Sequence, residues 1–186
     1  MTIDANLVAA IAAVVAAGVA IVAVLIQIGQ ARFSDSVENL WRFYDQWNGA
    51  PMLRGRPLAA TSLLEGGDAA AIVDVLGFFE LLGYMVRKRG IDVEAAWSFF
   101  SDFALPYWVA SRSYVDRDRQ IDQTYWQDFE WLHKAMIRIE SKKRHLSRTI
   151  VEPSAGAARR FLEQEARPDL ERKGPGPQAW RRIPRS

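Results

Sequence analysis

The chain contains no cysteine, which removes disulfides, thiolate nucleophiles, cysteine-ligated zinc and S-acylation together. Histidine is nearly as scarce, with His133 and His145 the whole supply. No Lys or Arg precedes Arg32. No stretch alternates apolar and polar residues with period two, so nothing argues for β-structure. A phosphate-binding Walker loop, a dinucleotide fingerprint, a Gly-x-Ser-x-Gly elbow and a His-Glu-x-x-His pair are all missing. These absences leave no catalytic residue, no cofactor site and no metal site to assign.

What the chain has in excess is a run of apolar residues. From Leu7 to Ile26, 20 consecutive residues carry no polar side chain, and as a helix rising about 1.5 Å per residue they would span roughly 30 Å, the depth of bilayer hydrocarbon. A cleaved signal peptide fits poorly, because the leader MTIDAN holds Asp4 and no basic residue and the run exceeds the usual ~7–15 residues. A buried core helix fits poorly too, since nothing later is apolar enough to surround it. The reading is a single transmembrane helix over 7–29 after a short extracytoplasmic leader, 1–6. Arg32, Arg42, Arg54 and Arg56 all follow the run, which places the N-terminus outside and the remainder in the cytoplasm. Ala9, Ala13, Ala16, Ala20 and Ala23 recur in steps of four and three, a small-residue face on which two such helices could associate. The same steps continue through Gln27, Gln30, Ser34, Val37, Trp41 and Tyr44.

Beyond the run the pattern is helical throughout. Phe33, Val37, Leu40, Trp41, Tyr44 and Trp47 extend the first helix, and Asn48-Gly49-Ala50-Pro51 ends it. A short helix follows to about Glu65. Asp68 is placed as N-cap of the next, over Ala69–Arg89, with Gly90 in the left-handed position after it. Asp92 caps a helix that is bent or broken near Pro106. The last strong helix runs from about Arg119 to Lys142 on a stripe of Ile121, Tyr125, Phe129, Leu132, Met136 and Ile139. Nineteen aromatic side chains between Phe33 and Trp131 supply the core of an all-α cytoplasmic bundle over 30–143. From Ser141 onward the charge is +7 against −5 before it, so 144–186 reads as a basic, mostly disordered tail in which only AGAARRFLEQEAR could be helical.

At VLGFFELLGYMVRKRGIDVEAAWSFFSDFALPYW the sequence resembles a bacterial family described only as a domain of unknown function. Its members look like one N-terminal span followed by a small helical cytoplasmic domain, with a hydrophobic-Phe-Phe-Glu-x-Leu-Gly helix, a basic hairpin and an aromatic helix. The resemblance covers roughly Arg32 to Glu140. It implies a bacterial inner-membrane location and no activity, because its motifs are packing motifs.

Two constellations could carry chemistry. Glu80 stands among Phe79, Leu81 and Leu82, where a carboxyl could have a raised pKa suited to acid/base work; the structural alternative is a buried ion pair with Arg54, Arg56 or Arg112. Glu130 and His133 form a Glu-x-x-His element of the kind found in di-iron bundles, but a second copy is missing. The basic tail could touch anionic lipid, which tethering keeps close, in preference to nucleic acid. The function expected is an interaction or scaffolding module, with the membrane, a second copy and an unidentified protein as partners. The alternative is a membrane-tethered hydrolase or transferase using Glu80 with an arginine.

Overall fold

The computed structural model describes residues 34–167, together with residues 20, 23, 24 and 27. The expected transmembrane helix therefore lies almost wholly outside the described residues, as do Ala9, Ala13 and Ala16; Ala20 and Ala23 are helical and exposed. Among the described residues no single helix is long and apolar enough to cross a membrane.

All regular structure in the described residues is helical. Helix α1 covers 34–48, and it is followed by α2 (Ala50–Glu65), α3 (Ala70–Arg87), α4 (Val93–Ala110), α5 (Arg112–Asp118), α6 (Gln127–Arg144), α7 (Arg148–Val151) and α8 (Ala155–Glu165). The α2–α3 pair is apolar enough in sum to cross a membrane but bends by 109° at its junction. Both helices send their apolar faces into the core, with Ala59, Ala60, Ile72, Val75, Leu76, Phe79 and Leu82 fully buried. Helix α3 packs chiefly on α2 and α6, α4 on α6 and α8, and α8 also on α2.

The helix boundaries correct several expectations. Asp68 does not cap α3, whose N-cap is Ala69 without a side-chain bond. The left-handed residue after α3 is Arg89, at φ 62°, one position earlier than expected. Gly90 follows as the next residue of a Schellman turn, its N–H donating to Met85 O at 2.8 Å while Arg89 N–H donates to Val86 O at 3.0 Å. Asp92 does cap α4, accepting from Ala95 N–H at 2.9 Å. That helix runs through Pro106 without a break. The helix expected from about Arg119 begins late: α5 ends at Asp118, a turn covers 119–126, and α6 starts only at Gln127. Ile121 and Tyr125 fall in the turn and are exposed, so the stripe begins at Phe129.

The largest correction concerns the C-terminal boundary. The packed body does not stop at 143, because α7 and α8 bury Val151, Ala158 and Leu162. Ser154 caps α8 by accepting from Ala157 N–H at 3.2 Å. The expected disordered tail is ordered at least as far as α8, and residues 168–186 lie outside the described part.

Candidate functional site

Glu80 is a docking residue between two helices. Its carboxylate accepts from the backbone N–H of Asp128 at 3.2 Å and of Phe129 at 2.7 Å. These are two of the N–H groups that the first turn of α6 leaves without an intrahelical partner, and α6 has no capping side chain of its own. In place of the expected guanidinium, Glu80 thus meets a helix N-terminus. Burial pushes the Glu80 carboxyl above its usual range, against the opposing pull of the Phe129 and Asp128 N–H groups.

The residues one and two turns along the same stripe of α3 complete the joint. A Cβ on Gly83 would lie 2.2 Å from the carbonyl oxygen of Asp128, so only glycine admits the α6 backbone there. Arg87 pairs with the Asp128 carboxylate at 2.8 Å. Beside them Phe79 stacks on Phe129, with ring centroids 4.9 Å apart and planes at 19°. Glu80, Gly83 and Arg87, spaced by three and four, therefore all hold the start of α6. The Phe-Phe-Glu-x-Leu-Gly motif is legible as a helix-docking device.

The three arginines expected near Glu80 are elsewhere. Arg54 is exposed. Arg112 is also exposed, with its guanidinium 5.5 Å from the centre of the Trp108 ring. Arg56 is only 1% exposed and lies 3.0 Å from Glu165 of α8, with its guanidinium 4.6 Å from the Trp47 ring centre and 5.6 Å from that of Phe103. This buried pair ties α2 to α8, and Tyr107 shares it. Burial, then the negative charge of Glu165, holds the Tyr107 phenol well above its ordinary pKa. The carboxylate that belongs to Arg56 thus stands within 144–186, in α8 and not in a disordered tail.

Glu130 and His133 do not converge. Glu130 pairs with Arg119 and Lys134, and the Lys134 hydrogen bond holds its carboxyl below the usual range. His133 is buried, its ring centroid 5.7 Å from that of Trp108. Burial, then the charges of Arg112 and Lys134, depresses its pKa to about 4. Among the described residues no group of three or more His, Asp or Glu is placed to hold a metal ion.

Helix α1 is apolar on two sides. Leu40, Phe43 and Trp47 enter the core, while Val37, Trp41 and Tyr44 stay in solvent with Trp41 52% exposed. Trp41, Tyr44 and the exposed Phe99 of α4 form an edge-to-face trio with centroids 5.5–6.2 Å apart. Two of the three lie on the seam that continues the alanine face. Phe99 joins them only through the tertiary packing of α4 on α1, which no spacing within either helix encodes.

No curated protein and no solved structure is detectably similar to the chain. A sequence family does match it, over residues 7–136, so that both the apolar run and the Glu80–Gly83–Arg87 joint fall inside the match. The chain belongs to the family described as Domain of unknown function (DUF4760).

Proposed function

We propose that the chain is a single-pass protein of a bacterial inner membrane whose cytoplasmic helical domain is a self-associating interaction module. The observation that carries this reading is the exposed apolar face of α1. Large apolar side chains clustered on a surface mark an interaction site, and aromatic residues are those enriched in such interfaces. The occupant proposed is a second copy. Val37, Trp41 and Tyr44 continue the three- and four-residue steps of Ala20 and Ala23, so two chains tethered side by side would bring the same face together along one two-fold axis. Tethering raises the effective concentration, which lets a small patch suffice. A scaffold for a further protein, and contact of the basic C-terminal residues with anionic lipid, extend the same proposal.

The occupation of Glu80 by helix N–H groups favours this module over a hydrolase or transferase, because the carboxylate already serves α6. Absence of cysteine makes the test clean. Tyr44→Cys in native membranes should give a cross-linked dimer with a short bis-maleimide, whereas Thr149→Cys, exposed on α7, should not. Trp41→Asp added to Tyr44→Cys should abolish the dimer. A Tyr44→Cys chain that stays monomeric under conditions that label it fully would refute self-association through this face.

A further inference from the structure

The buried His133 lines a cleft of different character. Trp108, Arg112, His133, Lys134, Ile137, Arg138, Arg148 and Glu152 enclose a cavity of about 470 Å³ between the end of α4, the middle of α6 and α7. Five of these eight side chains are cationic or imidazole, against one carboxylate. Lys134 is engaged by Glu130, but Arg112, Arg138 and Arg148 make no ion pair with a carboxylate among the described residues.

The floor of the cleft has unmet hydrogen-bonding capacity. His133 Nε2 and Trp108 Nε1 are both buried without a hydrogen-bond partner, which is uncommon enough to need an explanation. His133 Nε2 lies 3.4 Å from Oε1 of Glu152, which lines the same cleft. Guanidinium groups bind phosphate oxygens as planar two-pronged donors, and an indole N–H or an imidazole in its Nε2–H form adds a donor to the same anion.

We infer that this cleft is a binding site for a phosphoryl group, gripped by Arg112, Arg138 and Arg148 from the rim and received by Trp108 and His133 at the floor. The anion supplies the charge that the three arginines lack and a partner for the two buried nitrogens. The volume leaves room for a small organic group attached to the phosphate. A free phosphorylated metabolite and the headgroup of a phosphatidic acid share this chemistry. The site is independent of the α1 face, which lies on other residues.

The two histidines make the test direct. Imidazole ¹⁵N resonances of the full chain in zwitterionic micelles should give two pairs of signals, one pair for each histidine, with exposed His145 as internal reference. Titration with inorganic phosphate, or with a water-soluble short-chain phosphatidic acid, should move the His133 signal saturably; sodium chloride at equal ionic strength should not. Saturation by inorganic phosphate identifies a soluble phosphoryl ligand, and saturation by the lipid alone identifies a headgroup. Arg112→Gln and Arg148→Gln, both at exposed positions, should each weaken binding about tenfold, as loss of one charged hydrogen bond implies. If neither ligand moves His133, or if both variants bind like the parent while melting like it, the inference is wrong.

Discussion

Gly83 and Gly77 occupy the same helix, and they separate packing from propensity. A Cβ at Gly77 meets nothing within 4 Å, whereas at Gly83 it meets the Asp128 backbone at 2.2 Å. Alanine is favoured over glycine in a helix interior by about 1 kcal/mol, but forcing a methyl into a full interior costs about 1–3 kcal/mol, and here the obstructing atoms are backbone. Gly77→Ala should therefore stabilise by up to about 1 kcal/mol, while Gly83→Ala should destabilise by about 2 kcal/mol. Urea unfolding of the two variants checks the opposite signs. His133 gives a second residue-scale expectation, for pH. Its pKa falls from 6.5 to about 4 on folding, so between those values the unfolded chain binds a proton that the native chain refuses. Stability must then be lost as pH falls from 6.5 towards 4, by about 3 kcal/mol at most. In phosphate-free buffer, His133→Gln should flatten that acid limb relative to the parent. A limb of unchanged slope would mean that another group sets it.

At the scale of elements, some local signals in the sequence are legible, others such as the Asp68 cap are not, and long-range ones leave no trace. Asp92 capping α4 and the end of α1 at Trp47-Asn48 are decided within a few residues, and both stand. Helix α4 is unbroken at Pro106 because a proline in a long apolar helix is tolerated where packing holds the helix around it: Leu105, Pro106, Tyr107 and Trp108 are all buried. The turn before α6 is not legible because Ile121 and Tyr125 mimic a helical stripe that tertiary structure does not use. Glu80 was recognised as an apolar-flanked carboxylate, yet its partners are backbone N–H groups 48 and 49 residues away, and N–H groups leave no mark in a sequence. Helix α8 was read as a possible helix in a tail, since the carboxylate that matters, Glu165, pairs with Arg56 more than a hundred residues earlier. The consequence is testable by truncation. A fragment 34–167 should melt cooperatively, whereas 34–143 lacks α8 and leaves the buried Arg56 without the Glu165 carboxylate. Removing one partner of a buried pair costs about 3–5 kcal/mol, and the lost burial of Leu162 adds about 2 kcal/mol. That is a large part of the roughly 5–15 kcal/mol that holds a small domain together. Equal melting temperatures for the two fragments would show that α8 is an accessory.

At the scale of the whole molecule, charge and hydropathy give the chain a direction. Insertion of a helix is opposed by about 2.5–3.5 kcal/mol for each charged residue at its centre, and the stretch from Leu7 to Ile26 contains none. Its flanks are unequal: Asp4 stands before it, and Arg32 and Arg42 follow it. Basic residues close to a span are retained on the cytoplasmic side, and acidic residues have little say. The reverse orientation would have to carry those arginines across the membrane together with a folded body. The proposal is therefore that the N-terminus is outside and the bundle inside, and the cysteine-free chain allows both ends to be read by the same chemistry. Asp4→Cys should react with a membrane-impermeant maleimide in intact spheroplasts. Ser186→Cys should react only after permeabilisation, and the parent chain should stay with the membrane pellet through an alkaline carbonate wash. Reversed labelling would refute the orientation while leaving the span intact. Release by carbonate would refute the span itself, and with it the tether that aligns the α1 faces of two copies.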